Sequence, residues 1–379
     1  MINNKIICSR CISDSTMPAI NFDETGVCNY CRQYDEMNSF YPTGEQGKIE
    51  LQKMVDEIKL AGKGKPYDVV IGVSGGCDSS YMLHLAIEYG LRPLAAHFDN
   101  TWNSKIAVEN IQTVLNKLNI DLYTIVVDNN EYNDVFKSFL KASVPECDAP
   151  TDLALAVTHY KAAEKFGIKY IWEGHSFRTE GITPPGWVYM DAKYIHNIQK
   201  QFGELQIETL PMLWLKKWFK WMLVDKIKKV RPLYYLDYNK EETKKFLAEN
   251  YNWQWYGGHH MENRTAYFAN NYYLPVKFGI DLRVCEYSGL IRSGQLTKDE
   301  ALRKITTPKP NDPSILEEIY TRLNLTEKEF GQIMALPTKT FRNYPTYKKT
   351  FIRLRPLFWI LLKANYITKS FYDKFTVKN

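Results

Sequence analysis

Two groups of residues have the types and spacing to do chemistry. The first is Ser74-Gly75-Gly76-Cys77-Asp78-Ser79-Ser80. Adjacent glycines allow positive φ and close approach of a ligand, while the unpaired N–H groups of a helix starting there point into the curl. Such a nest attracts phosphate. The hydroxyls of Ser74, Ser79 and Ser80 add donors, and the Asp78 carboxylate can hold Mg²⁺ against the phosphates. The second group is Cys8-Ser-Arg-Cys11 with Cys28-Asn-Tyr-Cys31. Two such knuckles match tetrahedral Zn²⁺, with disulfides or unrelated thiols as the competing reading. Four thiolates leave no coordination position open, so the expectation is a structural ribbon.

The elements that must position the loop follow from periodicity. Asp68-Val-Val-Ile-Gly-Val73 is a short β-branched run, and Met82, Leu83, Leu85, Ala86 and Leu91 recur at helical spacing, which gives strand, turn, helix. Upstream, Leu51, Met54, Val55 and Ile58 mark one amphipathic helix. Downstream, a strand over 92–100, a helix over 105–118, a strand near 122–127, a helix over 153–166 capped by Thr151 or Asp152, a strand over 168–173, a last strand from 228 to 235 and a helix over 241–249 continue the alternation. The expected fold is α/β, a doubly wound parallel sheet, with an N-terminal zinc ribbon and a helical C-terminal region. Boundaries are expected at 1–45 for the ribbon, 46–238 for the sheet domain and 239–379 for the helical region completing the site. In such sheets ligands sit at the carboxyl ends of strands, where Asp99, Asn100 and Gly174 stand, with Trp102 placed to stack near adenine.

The 379 residues are 45% hydrophobic and 24% charged, ordinary for a folded protein. Forty-nine basic against 43 acidic residues give a net charge of +6, which suits an anionic substrate but is not the dense basic footprint of a dedicated nucleic-acid binder. No secretory signal and no run long enough to span a bilayer is read, so a cytoplasmic location is expected. The stretch 210–223 places Trp214, Trp218 and Trp221 on one helix face beside Lys216, Lys217 and Lys220. Burial or partner docking is the expectation there, with peripheral membrane contact as the alternative.

The loop fits neither Gly-x-x-x-x-Gly-Lys-Ser/Thr nor Gly-x-Gly-x-x-Gly. It resembles the Ser-Gly-Gly-x-Asp-Ser pyrophosphate loop (PP-loop) of the ATP pyrophosphatase superfamily. That resemblance implies cleavage of ATP to AMP and pyrophosphate, with AMP passed to an acceptor oxygen. Over roughly residues 5–305 the chain is further similar to the N-acetyl sugar amidotransferases of bacterial surface-polysaccharide and nonulosonate biosynthesis. The residues that carry this are Glu173-Gly-His-Ser-Phe-Arg-Thr-Glu-Gly181, Pro185-Gly-Trp187, Tyr189-Met-Asp191, Tyr256-Gly-Gly-His-His-Met-Glu262, Tyr272-Tyr-Leu-Pro-Val-Lys-Phe-Gly-Ile-Asp281, Arg283 and Ser288-Gly-Leu-Ile-Arg-Ser-Gly294. The resemblance implies ATP, Mg²⁺ and Zn²⁺, an acetamido sugar acceptor, and ammonia from a separate glutaminase delivered through a cyclase-like barrel partner. His175 and Arg178 are expected to orient acceptor or α-phosphate, and Lys277 and Arg283 to face the phosphates. The chain departs from that family's pattern at His259, Leu282 and Glu286, where lysine, lysine and histidine are expected. A tRNA thiolase, which also joins zinc knuckles to a PP-loop, is the main rival. An idle nucleotide site on a zinc-ribbon scaffold is a third reading.

Overall fold

The computed structural model describes residues 5–184, 186–258, 261–310 and 312–377, so Pro185, His259 and His260 of the family-like motifs lie outside the described residues. The strands are β1 (Val69–Gly72), β2 (Pro93–Asp99), β3 (Leu122–Val126), β4 (Tyr170–Trp172) and β5 (Lys228–Val230). They form one parallel sheet in the order β3-β2-β1-β4-β5, with Val70 opposite Leu94 and Ile171. The chain winds outward from β1 to β3, then crosses back to β4, so the switch point lies between β1 and β4. In open α/β sheets the ligand crevice forms at that place.

Both faces are covered. Helices α1 (Asn29–Phe40) and α2 (Gly44–Ala61) precede the sheet; α3 (Cys77–Glu88), α4 (Lys105–Leu118), α5 (Asn129–Ala142), α6 (Ala149–Phe166), α7 (Ala192–Phe202) and α8 (Leu215–Phe219) are interleaved with it. Alternate strand residues serve the two sides: Val69, Ile71 and Trp172 join a core with α2, α3, α4 and α9 (Lys240–Tyr251), whereas Val70, Leu94, Phe98 and Ile171 join one with α5 and α6. Each fully buried aliphatic or aromatic side chain contributes roughly 1.5–3 kcal/mol. The second core continues into the C-terminal helices α10 (Arg264–Phe268), α13 (Ser314–Leu323), α14 (Glu327–Ala335), α15 (Lys348–Arg353), α16 (Arg355–Lys363) and α17 (Lys369–Thr376), whereas α11 (Arg283–Arg292) packs on the cysteine cluster and is followed by α12 (Lys298–Thr306).

Three expectations shift. The last strand stops at Val230 and a 3₁₀ turn, Pro232–Tyr234, follows, because Pro232 has no N–H for the ladder. Helix α6 starts at Ala149 after Asp148, earlier than the expected cap, with Pro150 in the first turn where its missing donor costs nothing. The aromatic stretch is α8 plus a π-turn at Lys220–Val224 and is buried only in part: Trp218 donates its Nε1–H to Tyr160 and Trp221 stacks on the same ring at 4.9 Å, whereas Trp214 precedes the helix and is exposed, as are Leu223 and Val224. No described helix is long and apolar enough to cross a membrane.

Candidate active site

The loop between β1 and α3 is built on one residue in the left-handed region, Gly75, at φ +80°. A Cβ there would lie 2.3 Å from the Ala107 carbonyl oxygen, so glycine is required by both conformation and space. The Gly75 carbonyl accepts from Trp253 Nε1 (3.0 Å) and Asn110 Nδ2 (3.2 Å), which fixes the turn from behind. Ser74 Oγ accepts from Gly76 N, and Ser79 Oγ accepts from Ser74 N, each at 3.3 Å. Gly76 at the N-cap brings no capping side chain; the Cys77 N–H is bonded to Tyr256, and among the described residues the N–H groups of Asp78 and Ser79 keep their capacity for an anion.

The cavity beside this loop has a volume of about 1440 Å³. Ser74, Gly76, Asp78, Ser79, Gly174, His175 and Arg283 all line it, so the structure brings seven sequence-predicted residues to one place. The remainder act elsewhere. Gly75 and Ser80 support the loop from behind, Ser80 being buried with its N–H on the Gly76 carbonyl. Asp99 accepts from Thr101 N and Asn103 Nδ2, and the buried Asn100 bonds Trp102 N, Thr151 and Asn263, so both brace the turn after β2. Trp102 does not reach an adenine: it is fully buried, donates to Asn133 and carries the Arg322 guanidinium 3.7 Å from its ring centroid. Arg178 is spent on Asn38 and the carbonyls of Tyr41 and Tyr234, fastening α1 to the sheet edge. Lys277 caps α14 through the carbonyls of Ile333, Met334 and Leu336 and does not line the cavity.

Asp78 has partners its neighbours in sequence do not disclose. Its Oδ2 accepts from Lys240 Nζ at 3.0 Å and its Oδ1 from the Tyr238 hydroxyl. Burial alone would lower the Lys240 ammonium, but Asp78, Glu180 and Glu286 outweigh it and hold it above its ordinary range. Each Asp78 oxygen keeps a lone pair, so the carboxylate can still hold Mg²⁺ while Lys240 adds a fixed positive charge beside the loop. Glu173, at the end of β4, is held below the carboxylate range: burial raises it, and Lys229 (2.5 Å) and Arg231 (3.1 Å) overcome that. His159 packs under Gly72 with both ring nitrogens buried and unbonded among the described residues, and burial pushes it down to about 4. His175 Nδ1 lies 3.0 Å from the Tyr234 hydroxyl. Sequence reading assigned no site role to Lys240, Tyr238 or His159, and named Glu173 only as the start of the family-like run 173–181. Of the first three, only Lys240 left a trace, as the first residue of a helix capped by Asn239.

The four cysteines are brought together. All are buried, their Sγ atoms lie within 4.8 Å of one another, and the pairs Cys11–Cys28 and Cys8–Cys31 are 3.8 and 3.9 Å apart. Tetrahedral Zn²⁺ with bonds of about 2.3 Å requires sulfurs about 3.8 Å apart, so the donor set fits zinc. The N–H groups of Arg10, Ser13 and Cys28 point at sulfur, and Arg292 on α11 donates to Cys31 Sγ (3.2 Å) and Cys11 Sγ (3.3 Å). This guanidinium offsets part of the double negative charge of a tetrathiolate zinc centre. Arg283 and Glu286, nearer the start of α11, line the cavity, so one helix joins the two sites.

Sheet order, loop and cavity define a doubly wound α/β protein with a glycine-turned loop at the switch point. Residues 262–356 match the family model described as LPS biosynthesis protein WbpG-like, C-terminal domain. The uncharacterized protein MJ1599 of Methanocaldococcus jannaschii is 26% identical over 325 residues, covering 83% of this chain and 97% of the relative. The probable mitochondrial tRNA-specific 2-thiouridylase 1 of Caenorhabditis elegans is 30% identical over 123 residues, 28% of this chain and 32% of that protein. Among solved structures, NMN synthetase from Francisella tularensis aligns over 77% of this chain and 98% of its own at 17% identity and a TM-score of 0.31.

Proposed function

We propose that the chain is an ATP-dependent, AMP-forming amidotransferase that converts an acetamido group of a bacterial surface sugar to an acetamidino group. The observation that carries the reading is the uncapped, glycine-turned loop at the switch point, opening on a cavity whose far wall falls within the WbpG-like match. An acetamide carbonyl is a poor electrophile. Attack of its oxygen on the α-phosphorus of ATP forms an O–P bond and expels pyrophosphate; ammonia then adds to the imidate carbon and AMP leaves. The loop N–H groups with Ser74 and Ser79 hold the departing pyrophosphate, Lys240 offsets its charge, and Asp78 is the residue to hold Mg²⁺, which would screen the phosphates. Arg283, doubly bonded to Asp281, with Lys309 3.0 Å from the same carboxylate, presents a fixed cationic wall to the acceptor. Leu282 and Glu286, two of the three departures from the family pattern, line the cavity beside it, which supports a role for them in acceptor choice. Ammonia from a partner glutaminase, through a cyclase-like barrel, belongs to the same proposal.

The thiouridylase relative favours a second reading, sulfur transfer to tRNA. Against it, burial pushes the Cys77 thiol up to about 12 and raises the Cys147 thiol as well, so neither is a ready thiolate. Protein, Mg-ATP and ammonium incubated with a panel of diacetamido nucleotide sugars and nonulosonic acids should yield AMP and pyrophosphate by phosphorus NMR, with exchange of one sugar oxygen for NH by mass spectrometry. Turnover only with tRNA and a sulfur donor would replace the reading. Asp78→Ala should abolish pyrophosphate release in a folded protein, while Cys77→Ala and Cys147→Ala should keep it.

A further inference from the structure

Between residues 337 and 372 the sequence holds eight lysines and arginines and no aspartate or glutamate. Five of these cations, Arg342, Lys349, Arg353, Arg355 and Lys363, are exposed, and no described carboxylate lies within ion-pairing distance of any of them. The other basic residues differ: Lys369 pairs with Asp373 at 2.8 Å, and Lys348 donates to the Lys374 carbonyl. Four of these five cations lie on α15 and α16, and Arg342 on the turn before them.

Helix α16 is apolar on both sides. Phe358, Leu361 and Leu362 are buried and lock it against the α8 region and α17. On the opposite face Trp359 is 45% and Ile360 63% exposed, beside exposed Pro356. Arg355, Trp359 and Lys363 follow at intervals of four residues, so the indole is flanked by a cation one turn on either side, with Lys363 Nζ 4.7 Å from its ring centroid. Phe40, also exposed, continues the patch 5.7 Å from the same ammonium.

We propose that this face is a docking surface for an anionic lipid bilayer. Trp359 and Ile360 insert at the headgroup boundary, and the unpaired cations meet lipid phosphates. Nucleic acid shares the charge requirement but has no use for Ile360 and Pro356, which offer neither a stacking ring nor a donor. The buried face of α16 supplies the rigid base that a shallow insertion needs. This inference is independent of the reaction proposed above, and places the protein against a membrane by a helix other than the aromatic stretch at 215–224.

The test is flotation of the full chain with vesicles of phosphatidylcholine alone or with one third phosphatidylglycerol, at low and high salt. Binding is expected only with the anionic vesicles and weakens with salt. W359S/I360S should lower partitioning about tenfold or more, and R353Q/K363Q about fivefold per cation removed. Both pairs are exposed, and thermal melts verify that the variants fold. Brominated lipid should quench wild-type fluorescence more than that of W359F. The proposal is overturned by absence of binding to anionic vesicles, by equal binding of wild type and W359S/I360S, or by tRNA binding that W359S/I360S leaves unchanged in a protein that ignores vesicles.

Discussion

The cysteine cluster and the loop after β1 both gather N–H donors around a place for charge, yet they are built to opposite ends. Around the cysteines the donors are backbone N–H groups and the buried Arg292, the sulfurs are sealed from solvent, and no position is left for a substrate. At the loop the N–H groups of Asp78 and Ser79 are uncapped beside an open cavity, while the side chains of Lys240, Asp78 and Tyr238 stand beside them already bonded to one another. A closed donor shell suits an ion that stays. An open one suits an anion that arrives and leaves.

The contrast breaks most visibly if the closed site is emptied. Binding at a structural tetrathiolate zinc site is worth on the order of 10 kcal/mol of folding free energy, so Cys11→Ser or prolonged chelation should cost cooperative melting, and metal analysis of the native chain should give one zinc. An unchanged melt in metal-free protein would refute the structural role. Next in size, Lys240→Met leaves the largely buried Asp78 carboxylate with only the Tyr238 hydroxyl and should cost about 3 kcal/mol in urea unfolding, largely restored in K240M/D78N. Gly75→Ala, strained at φ +80° and pressed on Ala107, should cost about 3 kcal/mol and remove pyrophosphate release.

A comparable effect is expected from pH at His159. Its folded pKa lies near 4, below the unfolded value of about 6.5, so the unfolded chain binds the extra proton. Stability is then lost as pH falls from about 6.5 toward 4, by about 3 kcal/mol, and a His159→Leu variant should lack that part of the slope in pH-dependent unfolding. The smallest effect sharpens the comparison. Arg292→Met should weaken zinc about 10- to 100-fold in competition with a chelator, and shift the absorption of the cobalt-substituted protein, while Arg292→Lys recovers part of both.

How far sequence reading reached is clear from single residues. Ser74, Gly76, Asp78 and Ser79 were legible because one βα turn places them, and local geometry depends on few neighbours. Four cysteines were legible because metal-ligand spacing is short-range. Lys277, Arg178 and Asp99 were misplaced for the opposite reason: a polar side chain bonds whatever the packing brings, here the end of α14, the α1 segment and the turn after β2. Lys240 comes from 162 positions away to meet Asp78, a pairing no pattern along the chain announces.

The amino-acid sequence by itself determined the alternation of strands and helices, the glycine turn and the thiolate set, since each rests on backbone sterics and spacing within a few residues. Only the tertiary structure decided which charges meet. Arg292 was turned onto sulfur, Lys240 onto Asp78 and Arg231 onto Glu173 because burying a charge is tolerable only beside its opposite, and that partner is chosen by how distant elements pack.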